Sequence, residues 1–207
     1  MNDVINLFSK CSIYLYADDI VIFKSGSDIA NIIYDIQSEL DKFSIWTDFS
    51  DLDINLLKTR KMIFSRKKIN NISLQINGTL IETVNEYKYL GLLIDDKLTF
   101  KPHILEITKK SNQVNGRIFF MKQFIPVYIL RKIFFSILYP HLTQHILIWG
   151  GTSHNHLNPL IVSVNKVIRN MLPTSDNTAT KYKNLNILTI PQIYMLHLGQ
   201  FFSKHLF

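Results

Sequence analysis

Apolar residues change their period several times along the chain. Ile13 to Tyr16 and Ile20 to Phe23 are short runs of β-branched and aromatic residues separated only by Ala17, Asp18 and Asp19. This pattern predicts two strands joined by a tight hairpin with both carboxylates at its tip. Ser25, Gly26, Ser27 and Asp28 then supply a turn and an N-cap, and Ile29, Ile32, Ile33, Ile36, Leu40 and Phe43 recur at helical spacing. They predict a helix over about 28–46 whose apolar stripe packs on the sheet containing the hairpin, with Asp35, Glu39 and Asp41 as solvated charge on its polar face. Leu52, Ile54 and Leu56 alternate as a strand, Lys58 and Thr59 break it, and Met62 to Phe64 resume one. Ile72, Leu74 and Ile76 alternate up to Asn77-Gly78, a dipeptide that favours a hairpin because both residues tolerate positive φ. Tyr87 to Ile94 reads as a strand interrupted by Gly91, which permits a bulge or the close approach of a ligand to the backbone.

Beyond residue 100 the period becomes helical. Pro102 suits a first helical turn, and Ile104, Ile107, Ser111, Val114 and Ile118 form a seam at three- and four-residue steps. A second helix is expected from about Tyr128 to Tyr139, ended by Pro140. Leu157, Leu160, Ile161, Val164, Val167, Ile168 and Leu172 predict another amphipathic helix ending near Pro173. His154 and His156 read as loop residues before it, residues 174–184 as a polar loop, and 188–207 as a final helix. The fold class expected is α+β, with helices dominating the second half.

A hydrophobic content of 47% over 207 residues is ample for one ordinary domain or two small ones. Cys11 is the only cysteine, which excludes an intrachain disulfide and a cysteine-based zinc site and fits a reducing, intracellular setting, nuclear or cytoplasmic. The N-terminus lacks the basic start and apolar run of a secretory signal, so no export is expected. The most apolar stretch, Ile133 to Trp149, is too short and too polar to span a bilayer, so no membrane partner is expected either. Charge is unevenly spread. Residues 1–57 hold three Lys against ten acids, whereas residues 58–207 hold 20 basic residues against six acidic ones, among them the run Arg66-Lys67-Lys68. An acidic part able to hold metal and a basic part able to hold phosphate suit a nucleic-acid enzyme.

Candidate chemistry begins with Asp18 and Asp19. Adjacent carboxylates on short strands repel each other unless a proton, a basic partner or a cation neutralises them, and a hard oxygen-seeking ion such as Mg²⁺ is the natural partner. Lys58, presented where two strands meet, offers a proton or a positive field. His103, Lys110 and Arg117 are seven residues apart and are expected on one stripe beside the helical seam, where they could track a phosphate backbone.

Tyr16-Ala17-Asp18-Asp19 between apolar strands resembles the catalytic hairpin of reverse transcriptases. The stretch Asp53 to Phe64 is similar to the segment whose lysine lies near incoming nucleotide in these enzymes. Tyr87-Lys88-Tyr89-Leu90-Gly91, with Asp95, Leu98, Phe100 and His103, resembles the primer-supporting element of the non-LTR (LINE-type) retrotransposon branch, and Leu138 to Leu142, Ile148 to Gly151 and Val164 to Arg169 resemble the region beyond the polymerase core in the same family. The resemblance covers nearly the whole chain. It implies a partial reverse-transcriptase palm over 1–100, a short antiparallel sheet with one packed helix, and a helical thumb with C-terminal helices over 101–207. It further implies Asp18, Asp19 and Lys58 as catalytic residues and Asp18 and Asp19 as metal ligands, two Mg²⁺ ions serving the complete enzyme. Tyr16, Tyr89, Gly91, His103, Lys110 and Arg117 are implied as nucleic-acid contacts.

The partners implied are an RNA template, a DNA primer and deoxynucleotides, together with the missing N-terminal half or another chain. Only twelve residues precede Ile13, and no counterpart of the family's earlier palm aspartate lies among them, Asp3 matching a different Asn-Asp pair. The metal site is therefore expected to be incomplete, and this chain alone is expected not to polymerise DNA. The hairpin is also expected to expose a strand edge open to pairing. The expectation is thus a fragment of an RNA-directed DNA polymerase; the alternatives are a non-catalytic basic nucleic-acid-binding module and a decayed element.

Overall fold

A computed structural model of the protein describes residues 2–67, 69 and 72–206, so Lys68 of the basic run lies outside the described residues. The chain divides into two compact units, Met1–Asn85 and Glu86–Phe207.

In the first unit a 3-10 helix over Asn2–Leu7 leads to an antiparallel hairpin of β1 (Ser12–Tyr16) and β2 (Asp19–Phe23). Ile13 faces Ile22 and Leu15 faces Ile20 on its half-buried side, while Tyr14 and Tyr16 stand on the exposed side. Helix α1 (Ile29–Phe49) starts at Asp28, whose carboxylate accepts from the Ala30 and Asn31 N–H groups at 3.0 and 3.4 Å. Its stripe closes a small core of Leu40, Leu74, Ile76 and Ile81, flanked by Ile22, Ile33 and Ile36. The single sheet expected here is instead a set of separate two-stranded pieces. Besides the hairpin they are β3 (Arg60–Lys61), parallel to β6 (Glu82–Thr83), and β4 (Gln75–Ile76), antiparallel to β5 (Thr79–Leu80). The Asn77-Gly78 turn forms as expected, with φ of 50° and 73°. The edge of β4 is satisfied by an amide: Gln37 Nε2 donates to the Gln75 carbonyl at 2.9 Å and its Oε1 accepts from Gln75 N–H at 3.0 Å.

Two expectations for this unit fail. Residues 52–56 and 62–64 form no strand. The Asn55 carbonyl takes the N–H groups of Lys58 and Thr59, and its side-chain oxygen takes Lys58 N–H as well, folding 55–59 into a turn. Asp35 and Glu39 are buried rather than solvated. Asp35 pairs with Lys24 at 3.1 Å and Lys10 at 3.6 Å, and the Lys24 ammonium holds its carboxyl below the usual carboxylate range. Glu39 Oε1 accepts from Lys10 N–H and from Lys42, both at 3.2 Å, so this face of α1 anchors the chain just before β1.

The second unit opens with a hairpin of β7 (Glu86–Tyr89) and β8 (Leu92–Asp95), followed by α2 (Lys101–Met121). Asp95 is buried at the entry to α2. Burial would raise its pKa, but donors from Thr99 N–H, Thr99 Oγ1 and Phe100 N–H prevail and hold it below the ordinary value. The expected seam of Ile104, Ile107, Ser111, Val114 and Ile118 is buried as drawn. It packs along α6 (His154–Met171), where Ser163 donates to Ser111 at 2.8 Å and Asn170 to Asn115 at 2.8 Å.

Between them run α3 (Val127–Ile133), a π-helical turn over Phe134–Leu138 and α4 (Tyr139–Thr143), then α5 (Ile146–Trp149). Pro140 therefore does not end the helix. It enters the first turn of α4, where its missing N–H needs no partner, and the preceding turn widens so that Tyr139 N–H reaches the Phe134 carbonyl. His154 and His156, read as loop, open α6. Residues expected as a polar loop contain α7 (Thr178–Asn184), capped by Asn177 and holding buried Tyr182. The chain ends in α8 (Ile190–Leu206), entered through a capping box in which Gln192 Oε1 accepts from Thr189 N–H and Oγ1, both at 2.9 Å. Phe134, Leu138, Trp149, Leu160, Met171 and Ile193 are among the fully buried side chains of this core. Among the described residues no helix is long and apolar enough to cross a membrane.

Candidate functional site

The hairpin tip belongs to the first unit. Tyr16 pairs directly with Asp19, leaving Ala17 and Asp18 as a two-residue turn. Ala17 takes φ of 53°, a left-handed conformation that a Cβ makes unfavourable by about 1 kcal/mol or more. Asp18 thus projects from the turn itself, while Asp19 is the first residue of β2 on the face shared with Tyr16. Both carboxylates are exposed, and among the described residues neither has a side-chain hydrogen bond or ion pair. Lys58 is also exposed, on the turn built around Asn55 rather than between two strands.

The donor set bears on a metal. Two adjacent carboxylates offer the hard oxygen ligands that Mg²⁺ takes, on an accessible tip. They supply only part of its six-coordinate shell, because among the described residues no group of three or more His, Cys, Asp or Glu gathers as metal ligands. The oxygen chemistry of the two carboxylates fits such an ion.

The remaining predicted residues lie in the second unit, where three roles change. Gly91 does not interrupt a strand: with Leu90 it forms the β7–β8 turn, both residues at positive φ, 48° and 86°. What approaches it closely is Gln144, whose Nε2 would sit 2.6 Å from any added Cβ. Tyr89, half-buried, ends β7 beside this turn, and His145 Nε2 lies 2.9 Å from the Leu90 carbonyl.

His103 is buried, so the basic stripe of His103, Lys110 and Arg117 does not exist as a surface. The cause is its neighbours: Leu93 N–H donates to its Nδ1 at 3.4 Å, and its ring meets Trp149 edge-on at 6.0 Å between centroids. Accepting at Nδ1 puts the proton of the neutral ring on Nε2, which is buried without a hydrogen-bond partner among the described residues. Burial pushes the imidazole pKa down to about 4 against the pull of Glu106, so His103 is uncharged at neutral pH. Lys110 shares Glu106 with Lys88, at 3.4 and 2.8 Å. Hydrogen bonding to Lys88 is the main reason Glu106 is held below the usual carboxylate range. Of the stripe, Arg117 alone is exposed without a recorded ion pair.

Sequence reasoning missed the partners that fix these groups, Glu39, Gln144, His145 and Trp149. Each acts through tertiary contact, and none carries a local motif.

The relatives of this chain are nucleic-acid polymerases. Over most of its length it is homologous to the RNA-directed DNA polymerases of non-LTR mobile elements of Drosophila. It is 30% identical over 160 residues to the RNA-directed DNA polymerase from mobile element jockey of Drosophila funebris, a match covering 74% of this chain and 17% of that protein. The Drosophila melanogaster jockey polymerase is 28% identical over 157 residues, again 74% of this chain and 17% of the relative. The protein described as "Probable RNA-directed DNA polymerase from transposon BS" of Drosophila melanogaster is 23% identical over 202 residues, 94% of this chain and 22% of its own length. The chain thus spans about a fifth of the relatives it matches. No protein-family model matches it, and no solved structure does.

Proposed function

We propose that this chain is the part of a non-LTR retrotransposon reverse transcriptase that carries the two-aspartate hairpin of the palm, in the first unit, and a thumb, in the second. The observation that carries the reading is the hairpin itself: a strained two-residue turn holds Asp18 and Asp19 exposed and, among the described residues, without side-chain partners, within a chain homologous to polymerases. Asp18 is the principal ligand for a divalent ion and Asp19 its support, Mg²⁺ being the ion their oxygen chemistry suits. When bound, such ions supply Lewis acidity to the oxygens exchanged at phosphorus. The hairpin's own contribution is positioning: the β1–β2 register fixes the two carboxylates as neighbours, and Tyr16 flanks Asp19 across the pair. The exposed Lys58 adds positive field for triphosphate, and Arg117, with the other basic residues of the second unit, attracts template and primer.

Among the described residues no third acidic ligand joins Asp18 and Asp19, and no primer extension is expected from the chain on its own. Mn²⁺ titrated into the isotope-labelled chain tests the site. Paramagnetic broadening should be confined to residues around 16–20 and should vanish in Asp18→Asn/Asp19→Asn, with primer extension by 1–207 alone remaining at background. Broadening elsewhere, or unchanged by those substitutions, refutes the assignment. Template–primer binding that needs no divalent ion and is unaltered by Asp18→Asn, with no Mn²⁺ broadening at the hairpin, points to a non-catalytic binding module.

A further inference from the structure

Four large aromatic side chains stand exposed within ten residues at the elbow where α2 gives way to α3: Phe119, Phe120, Phe124 and Tyr128. The four side chains form a cluster rather than standing singly, and Phe120 and Phe124 are 70% and 74% exposed. They are not loose. Their rings are in contact, with centroids 5.9 Å apart, and Phe119 is covered by the Lys122 ammonium at 4.4 Å while Lys132 lies 5.9 Å over Tyr128. Lys122 is itself steadied by Asn170 at 3.4 Å. Arg117, exposed, lies one turn before Phe120 on α2.

The electrostatic setting selects among partners. Between Glu106 and Asp176 the sequence has eight Lys and Arg and no Asp or Glu, so no carboxylate of that stretch offsets the cations beside these rings. An apolar protein surface has no use for such a field, and α3, seven residues long with Leu130 buried, is not an amphipathic helix laid on lipid. Exposed rings interleaved with cations are what an unpaired nucleic-acid strand uses, bases stacking on the aromatics and phosphates meeting the ammonium groups.

We infer that the α2–α3 elbow, through Phe120, Phe124 and Tyr128 with Arg117 and Lys132, is a binding site for single-stranded nucleic acid. It rests on the nucleic-acid reading above for the class of ligand, and adds a site that takes an unpaired strand rather than a duplex. Stacking contributes without regard to sequence, so the site holds a strand by its bases and leaves reading of sequence elsewhere.

The test is fluorescence anisotropy of the full chain 1–207 with a labelled 12-nucleotide oligo-dT or oligo-U strand and, separately, a blunt duplex. Phe120→Ala and Phe124→Ala should each weaken single-strand binding between about 5-fold and 100-fold, the range that loss of one base–aromatic stack produces. Because no charge is removed, the dependence of log K on log salt should keep its slope, whereas Lys132→Ala should lower that slope by about 0.7. Duplex binding should be unchanged by the Phe substitutions. Both side chains are outside the core, and an unaltered unfolding midpoint read by Trp149 fluorescence confirms that the variants are folded.

Single-strand affinity indifferent to both Phe changes, or duplex affinity lost in parallel, overturns the inference while leaving the polymerase reading standing; absence of binding to either nucleic acid overturns both. Two further results overturn it by naming another occupant. One is sedimentation as a dimer that Phe124→Ala dissociates, and the other is flotation with anionic phosphatidylserine vesicles that Phe120→Ala abolishes.

Discussion

His103 gives the second unit a built-in sensitivity to acid whose size follows from its surroundings. Its ring is 4% exposed, accepts from Leu93 N–H and stands edge-on to Trp149, and its folded pKa is pushed down to about 4 from 6.5 by burial. An unfolded chain takes up the proton near pH 6.5, whereas the folded one refuses it until about pH 4. Between those values the unfolded state binds more protons, so stability rises with pH. The contribution is complete above about pH 6.5, declines by about 1.4 kcal/mol per pH unit through the window, and levels off below about pH 4, a loss of about 3 kcal/mol in all.

Charged and titratable groups around the ring shape the curve. Glu106 favours the imidazolium, while His145, Lys110 and Lys88 oppose it. The two tryptophans make the measurement clean, since Trp46 lies in the first unit and Trp149 in the second. Urea unfolding in a Trp46→Phe background, followed by Trp149 fluorescence from pH 4 to 7.5, reports the second unit alone. His103→Gln keeps an acceptor for Leu93 N–H and cannot titrate. Its profile should therefore be flatter than the parent's by roughly 3 kcal/mol across the window. A residual slope of the same sign is expected from His141, whose pKa burial also lowers. Parallel profiles for parent and variant, within about 0.5 kcal/mol, would refute the argument that burial of this ring is the origin of the acid sensitivity.

Three further perturbations test the local geometry. Ala17→Val places a β-branched side chain at φ of 53° and should destabilise the first unit by about 1 kcal/mol, whereas Ala17→Gly should be neutral or slightly stabilising; Trp46 fluorescence during urea unfolding reads both. Glu39→Ala removes the buried carboxylate that accepts from the Lys10 N–H and from the exposed Lys42 ammonium, and should cost about 1 kcal/mol by the same measurement, with Glu39→Gln recovering part of it. Gly91→Ala forces a side chain into φ of 86° and against Gln144, and should cost the second unit about 1–2 kcal/mol in Trp149-monitored unfolding. Adding Gln144→Ala should return the steric part of that loss and leave the backbone part.

What the sequence disclosed depended on whether the determining contact was local. The β1–β2 hairpin, the Asn77-Gly78 turn, the Asp28 cap and the α2 seam are each set by residues a few positions apart, and each formed where the pattern put it. The misreadings share the opposite cause. Alternation at Leu52, Ile54 and Leu56 looked like a strand, but Asn55 offers its neighbours a closer hydrogen-bond partner than any distant strand. Spacing put His103 in line with Lys110 and Arg117, yet seven residues correspond to slightly less than two turns, and the small drift sufficed for Trp149 and Leu93 to draw one end of the line inside. Asp35 and Glu39 looked solvated because Lys10 and Lys24, which pair with Asp35, and the Lys10 N–H bound by Glu39 come from outside the helix, where no helical period connects them, while Lys42 lies three residues from Glu39 on the same helix.

The charge pattern also changes meaning once the units are known. Divided at residue 57 the sequence looks acidic and then basic, but the first unit extends through Asn85 and gathers the lysines and arginines of 58–68. Residues 1–85 thus carry nine Lys and Arg against eleven acids, close to balance, and residues 86–207 carry fourteen against five. The hairpin carboxylates consequently sit in a nearly neutral unit and not in a strongly acidic one, so their attraction for a cation is a property of two adjacent side chains rather than of a broad field. Phosphate attraction, by contrast, is a property of the second unit as a whole. Its residues 107–175 lack any acid, and they include the elbow where Phe120 and Phe124 stand in the open. Diffuse charge of this kind draws a strand in without fixing it, and the exposed rings then supply the short-range contact that charge alone does not.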